Sequence, residues 1–193
     1  NRKEGDALQY SISHQRMGWY VTPDGRLIAY ATSDGGSDWT TLHVRDLETG
    51  KDLPDRLTDI KFTQAAWSAD SRGFYYGRYP RDAAGRADDS QQTRIYYHRL
   101  GDDQADDALF YAVTDDDRRN PAVEITEDGR YALVYESEGA FTNGLYYIDL
   151  EDPEREVVRL FGDFDARYEF LGNDGGTFYV ETSSGAPNRR VIA

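Results

Sequence analysis

Three histidines, His14, His43 and His98, are the side chains best suited to acid–base work or to holding a metal, and no cysteine accompanies them in 193 residues. Imidazole changes charge near neutral pH and is the commonest metal ligand. His43, in "LHVRD", and His98, in "YHRLG", read as equivalent positions in two copies of a repeat, which places them in different structural units. No Glu-x-x-His pairing accompanies them, so a packed or surface role is expected, and His14, in "SISHQRMG", reads as a connector. The acidic clusters "GDDQADD" and "TDDDRRN" invite a calcium reading. An EF-hand loop needs oxygens at alternating positions, a mid-loop Gly and a closing Glu. Neither cluster has that Gly or Glu, so solvated acidic loops are expected, with no metal and no cofactor. The absence of cysteine also excludes disulfides, thiolate metal sites and a Cys nucleophile.

Another set of carboxylates recurs with a period. Asp24, Asp70, Asp128 and Asp174 are spaced 46, 58 and 46 residues apart, each in a turn between two apolar runs. Asp bonds nearby backbone N–H groups at turn starts, and Gly accepts positive φ without steric cost. "GWYVTPDGRLIAYATS" and "AVEITEDGRYALVYES" are the cleanest copies, and Pro23 sets φ at the leading position of its turn. A third strand follows as "TLHVRDL", "RIYYHRL", "GLYYIDL" and "RRVIA", and a fourth as "KDLPDRL", "DALFYAV" and "EVVRLFG". Strand-rich repeats of roughly 40–50 residues mark a β-propeller with one blade per repeat. The turn Asp residues are therefore read as structural before catalytic.

The reading is all-β: one β-propeller domain over residues 1–193, with about four blades of four antiparallel strands. The blades run roughly over 17–60, 61–115, 119–163 and 164–193, the last completed by the N-terminal strand "DALQYSIS" (Asp6–Ser13). The tyrosine pairs Tyr75–Tyr76, Tyr96–Tyr97 and Tyr146–Tyr147 recur at blade-equivalent sites and read as core. "RDAAGRADDSQQT" (Arg81–Thr93) reads as a long exposed loop between a second and a third strand, and "DDQADDAL" as a solvated turn. The formal net charge is −14, from 22 basic and 36 acidic side chains, and such a surface repels phosphates and anionic bilayers. Nucleic-acid and membrane partners are accordingly not expected. The lack of cysteine, with no signal-peptide pattern in "NRKEGDALQY", points to the cytoplasm.

"DGRLIAYATSDGGSDWTTLHVRDLETGKDLPDRL", followed by "KFTQAAWSADSRGFYYGRYP", resembles the propeller domain of the prolyl oligopeptidase family, and the likeness runs from roughly Pro23 to Ile192. That resemblance implies a seven-bladed propeller, capping an α/β-hydrolase domain that carries a Ser, Asp and His triad. The nucleophile Ser of such a domain sits on a Gly-x-Ser-x-Gly elbow. Ser37, Ser183 and Ser184 lack those flanking glycines. The resemblance also implies that Phe62, in "IKFTQAAW", lines the substrate cavity. Trp39, at the hairpin tip "GGSDW", is a second candidate for ligand binding, weighed against a role in covering a neighbouring blade.

The leading expectation is a non-catalytic propeller fragment, engineered or excised, that acts as a scaffold. It pairs with a second copy of itself as a homodimer or closes as a small ring in one chain. The alternatives are the propeller part of an active serine peptidase whose catalytic domain lies elsewhere, and a stand-alone module for short peptides.

Overall fold

A computed structural model describes residues 19–193. Among the described residues every regular element is a strand except one 3₁₀ turn at Gln104–Asp106. The first sheet holds β1 (Trp19–Val21), β2 (Leu27–Ser33), β3 (Thr40–Asp46) and β4 (Asp52–Ile60). The second holds β5 (Ala65–Trp67), β6 (Gly73–Arg78), β7 (Arg94–Arg99) and β8 (Ala108–Tyr111). The third holds β9 (Asn120–Ile125), β10 (Tyr131–Glu138), β11 (Thr142–Asp149) and β12 (Val157–Phe161). The fourth has three strands among the described residues, β13 (Tyr168–Asp174), β14 (Thr177–Thr182) and β15 (Arg190–Ile192). Each sheet is an antiparallel meander in chain order. "DALQYSIS" and His14 lie outside the described residues. The chain divides between Ala112 and Val113 into two compact units, each holding two of the sheets.

The recurring turn forms in three copies for one reason. Thr22 Oγ1 donates to Asp24 at 2.6 Å and accepts from the Leu27 N–H at 3.0 Å, while the Arg26 N–H donates to Asp24 at 3.1 Å. Ser68 and Asp70 repeat the hydroxyl–carboxylate bond at 2.7 Å, as do Thr126 and Asp128 at 2.6 Å. The fourth copy differs. Asp174 pairs with Thr177 inside the ladder, so the connection shrinks to the two glycines Gly175 and Gly176. Its equal spacing concealed a different hairpin.

Continuous burial marks the strands packed on both faces. Gly73–Gly77 of β6 and Tyr131–Val134 of β10 are buried throughout. In the first unit Leu42, Val44, Leu57 and Ile60 pack with Trp67, Phe74 and Tyr76. The Trp67 indole N–H donates to the Tyr20 carbonyl at 2.7 Å, tying β5 to β1. In the second unit Tyr131, Leu133, Leu145, Tyr168 and Val180 form the core. Among the tyrosine pairs only Tyr75 and Tyr76 are buried. Tyr96, Tyr97, Tyr146 and Tyr147 are half-buried, because their strands lie one place further out in each sheet. β6 leaves no room at its start: a Cβ on Gly73 would stand 2.3 Å from the His98 carbonyl oxygen.

Candidate functional site

The β2–β3 hairpin and the crossover from β4 to β5 lie at the same end of the first sheet, since Ser33 pairs with Thr40 and Thr40 with Ile60. Phe62 sits in that crossover at φ 50°, and Asp59 nearby at φ 63°. Left-handed backbone at non-glycine residues is held only where surroundings enforce it, and such positions cluster at functional sites. Here the restraints are visible. Lys61 is ion-paired with Asp89 and lies 4.3 Å above the Trp39 ring. Thr63 Oγ1 accepts from the Gly77 N–H at 2.6 Å, and the Tyr79 N–H donates to the Asp59 carbonyl at 2.9 Å. Its neighbours are thus pinned while Phe62 is left 74% exposed.

The matching crossover of the second unit makes the contrast plain. Phe164 is also left-handed, at φ 53°, but the Arg119 guanidinium covers its ring at 4.1 Å. Phe62 is the bare member of the two. Trp39 is half-buried, edge-on to Tyr79 at 5.4 Å and beneath Lys61. It braces the loop of the next sheet, as a covering residue would. The two candidates therefore meet at one sheet end, joined through Lys61, with only Phe62 presenting a free apolar face.

His98 was expected only to pack, and it does so with more chemistry than its sequence context signals. Its Nδ1 is 2.8 Å from Asp107 and its Nε2 is 3.1 Å from Asp55, with all three side chains essentially buried. Two carboxylates facing both ring nitrogens require both to donate, so the ring is imidazolium. Burial alone would push the His98 pKa down, but the bonds and charges of Asp107 and Asp55 outweigh it and raise the value to about 9. Desolvation likewise opposes ionisation of Asp55, yet bonds from His98 and the Gly101 N–H hold its pKa below the ordinary value. The Tyr76 hydroxyl donates to Asp107 at 2.6 Å. Asp55 is in β4 and His98 in β7, so the bridge fastens the first sheet to the second.

Register corrects the expected equivalence of His43 and His98. Leu27 pairs with Asp46 and Gly73 with Arg99 at corresponding places. His98 therefore matches Arg45, not His43. The matched group is repeated too. Tyr30 and Arg45 both bond Asp52 in the first sheet, where Tyr76 and His98 both bond Asp107 in the second. His43 instead stacks on Tyr30 at 5.4 Å and meets Thr32 at 3.1 Å. The acidic clusters are largely exposed, as expected, but several of their carboxylates have structural partners. Asp107 is buried against His98, Asp103 caps the 3₁₀ turn, and Asp116 pairs with Arg118 and Arg119.

Known proteins place this arrangement. The profile of the family described as "Prolyl oligopeptidase, N-terminal beta-propeller domain" matches residues 13–193. Prolyl endopeptidase of Elizabethkingia meningoseptica is 33% identical over 170 residues, covering 87% of this chain and 24% of that protein. Prolyl oligopeptidase A of Amanita bisporigera is 33% identical over 195 residues, with 87% and 25% covered. Among solved structures, one from a study of two prolyl endopeptidases and their inter-domain dynamics superposes with TM-score 0.80 at 30% identity, covering 91% of this chain and 26% of that one. Prolyl oligopeptidase B of Galerina marginata, bound to a 35mer hydrolysis and macrocyclization substrate, gives TM-score 0.80 at 26% identity, with 90% and 26% covered. The chain spans about a quarter of the length of the curated relatives it matches. It belongs to the prolyl oligopeptidase family, as part of its N-terminal β-propeller domain.

Proposed function

We propose that this chain is a non-catalytic, substrate-gating segment of a serine peptidase whose nucleophile lies outside these residues. It admits short proline-containing peptides and turns larger chains away. The observation that carries the reading is the match of nearly the whole chain to the propeller part of the relatives, at about a quarter of their length. Phe62 supports it locally, as an exposed aromatic ring on a restrained, left-handed crossover. An apolar face of that kind suits contact with a proline ring or an aromatic side chain.

The test combines the chain with a prolyl oligopeptidase hydrolase domain. The mixture is expected to cleave a short proline-containing peptide, whereas the chain alone neither cleaves it nor takes up a serine-directed phosphonate. Phe62→Ala is expected to raise KM for that peptide by about tenfold, the scale of losing one buried apolar contact. A mixture inert over a broad pH range, or a labelled chain, would overturn the reading.

A second reading, self-association, is favoured by one feature. The fourth sheet has three strands among the described residues where the other sheets have four, and Val191 in its outer strand β15 is 58% exposed. Unpaired strand edges recruit other strands. Light scattering across concentration is then expected to give twice the 22.0 kDa of one chain, and a constant single-chain mass would exclude it.

A further inference from the structure

The β6–β7 hairpin sets two arginines at opposed positions of its ladder. Arg78, the last residue of β6, lies directly opposite Arg94, the first of β7. Like charges placed opposite one another on adjacent strands repel. Arg78 stacks over the Tyr96 ring at 3.9 Å and donates to the Gln104 carbonyl at 2.9 Å. Among the described residues neither Arg78 nor Arg94 has a carboxylate within ion-pair distance. Asp107 acts on Arg78 only from beyond ion-pair distance, so in a chain of net charge −14 both arginines lack a direct carboxylate partner among the described residues.

Both arginines, with Arg81, Tyr79 and Tyr96, line a cavity of about 480 Å³. That volume is within the range of small-ligand sites. Two carboxylates also line it, and each is already engaged. Asp59 accepts from Arg81 at 2.7 Å, and Asp103 accepts from the Ala105 N–H at 3.2 Å. Three guanidinium groups against two carboxylates leave the cavity with one net positive charge. The Gln104 wall is rigid, since its side-chain amide bonds both the N–H and the carbonyl of Thr58, at 3.1 and 3.0 Å. Arg78 is likewise held in place by its stack, while Arg94 is exposed and able to close on a ligand.

We propose that this cavity binds the C-terminal carboxylate of a short peptide, held between Arg78 and Arg94. Guanidinium forks match the planar, two-oxygen geometry of a carboxylate, and the anion offsets the net positive charge of the lining. The rings of Tyr79 and Tyr96 supply apolar walls for the residue that carries it. The carboxylate is argued from the cavity alone; that the ligand is a peptide rests on the gating function proposed above.

Titration of the isotope-labelled chain, followed by backbone amide shifts, tests the assignment. The probes are acetyl-Ala-Pro with a free carboxylate, its C-terminal amide, and inorganic phosphate. The free acid is expected to bind at least about tenfold more tightly than the amide, the scale of a charge-assisted hydrogen-bonded pair. It should shift the amides of Tyr79, Arg94 and Ala105. Arg94→Gln, a change at an exposed position, is expected to abolish the preference while the fold is kept. Equal affinity for acid and amide, an unchanged preference in Arg94→Gln, or phosphate binding as tightly as the acid would each overturn it. Shifts at Phe62 without shifts at the cavity would sink the carboxylate site and leave gating intact. Shifts at the cavity with none at Phe62 would do the reverse.

Discussion

Both ring nitrogens of His98 face buried carboxylates, and that geometry fixes a pH dependence. Its pKa is raised to about 9 in the folded chain against an ordinary value of 6.5. The stabilisation is fully present below pH 6.5, where both states hold the proton, and is lost as pH rises through 9. The difference corresponds to something on the order of 3 kcal/mol. Urea unfolding of the native chain is expected to show that decline between pH 6.5 and 9, and His98→Gln to flatten it. A native chain whose stability is level over this range would contradict the imidazolium bridge. Ser71 offers a simpler expectation. It holds φ 56° at the turn position where Gly25 and Gly129 hold φ 74°. Ser71→Gly should raise stability by about 0.5–1 kcal/mol, as relief of left-handed strain exceeds the added chain entropy. Thermal unfolding is the measurement, and a loss of stability would show that the turn tolerates Ser for another reason. Neither feature could be read from the sequence. "YYHRL" gives no sign of Asp55, which lies 43 residues away, and the second Ser of "SADSRG" carries no backbone angle.

At the scale of the element, the turn chemistry was legible because it is local. Thr22 with Asp24, Ser68 with Asp70, and Thr126 with Asp128 satisfy one another within two residues. The Asp and its backbone bond follow from residue type and spacing, whereas the hydroxyl partner two residues earlier was not anticipated. The fourth copy was misread for the same reason: "GNDGG" keeps the Asp but lacks the hydroxyl partner two residues before it, and so closes on Gly175 and Gly176. Cross-strand relations were hidden, since they depend on register. The mismatch of His43 with His98 and the opposition of Arg78 to Arg94 emerge only once strands are paired. Close packing at a strand start is a further relation of that kind. Gly73→Ala would drive a methyl to 2.3 Å from the His98 carbonyl oxygen, a backbone atom that cannot rotate away. A destabilisation of about 2–3 kcal/mol is expected, read by urea unfolding. A neutral effect would mean that β6 and β7 separate more readily than their pairing indicates.

For the whole molecule, the sequence carried the fold class because a repeat writes its architecture several times over. Four antiparallel sheets in chain order and a family match over residues 13–193 agree with it. The surroundings of the two candidate residues were less legible. Trp39 was weighed as a ligand contact against a covering role, and its partners Lys61 and Tyr79 emerge only in the structure. Phe62 keeps its free face because Lys61 and Thr63 on either side are both tied down elsewhere. A gating surface of the kind proposed above would leave no catalytic signature in a sequence. Its effect must be measured as selectivity. The most direct measurement is the ratio of kcat/KM for a ten-residue over a forty-residue proline-containing peptide, by a hydrolase domain with and without this chain. Gating predicts that adding the chain raises the ratio by roughly tenfold or more, equivalent to about 1.4 kcal/mol of discrimination. An unchanged ratio, with the chain demonstrably bound, would contradict it.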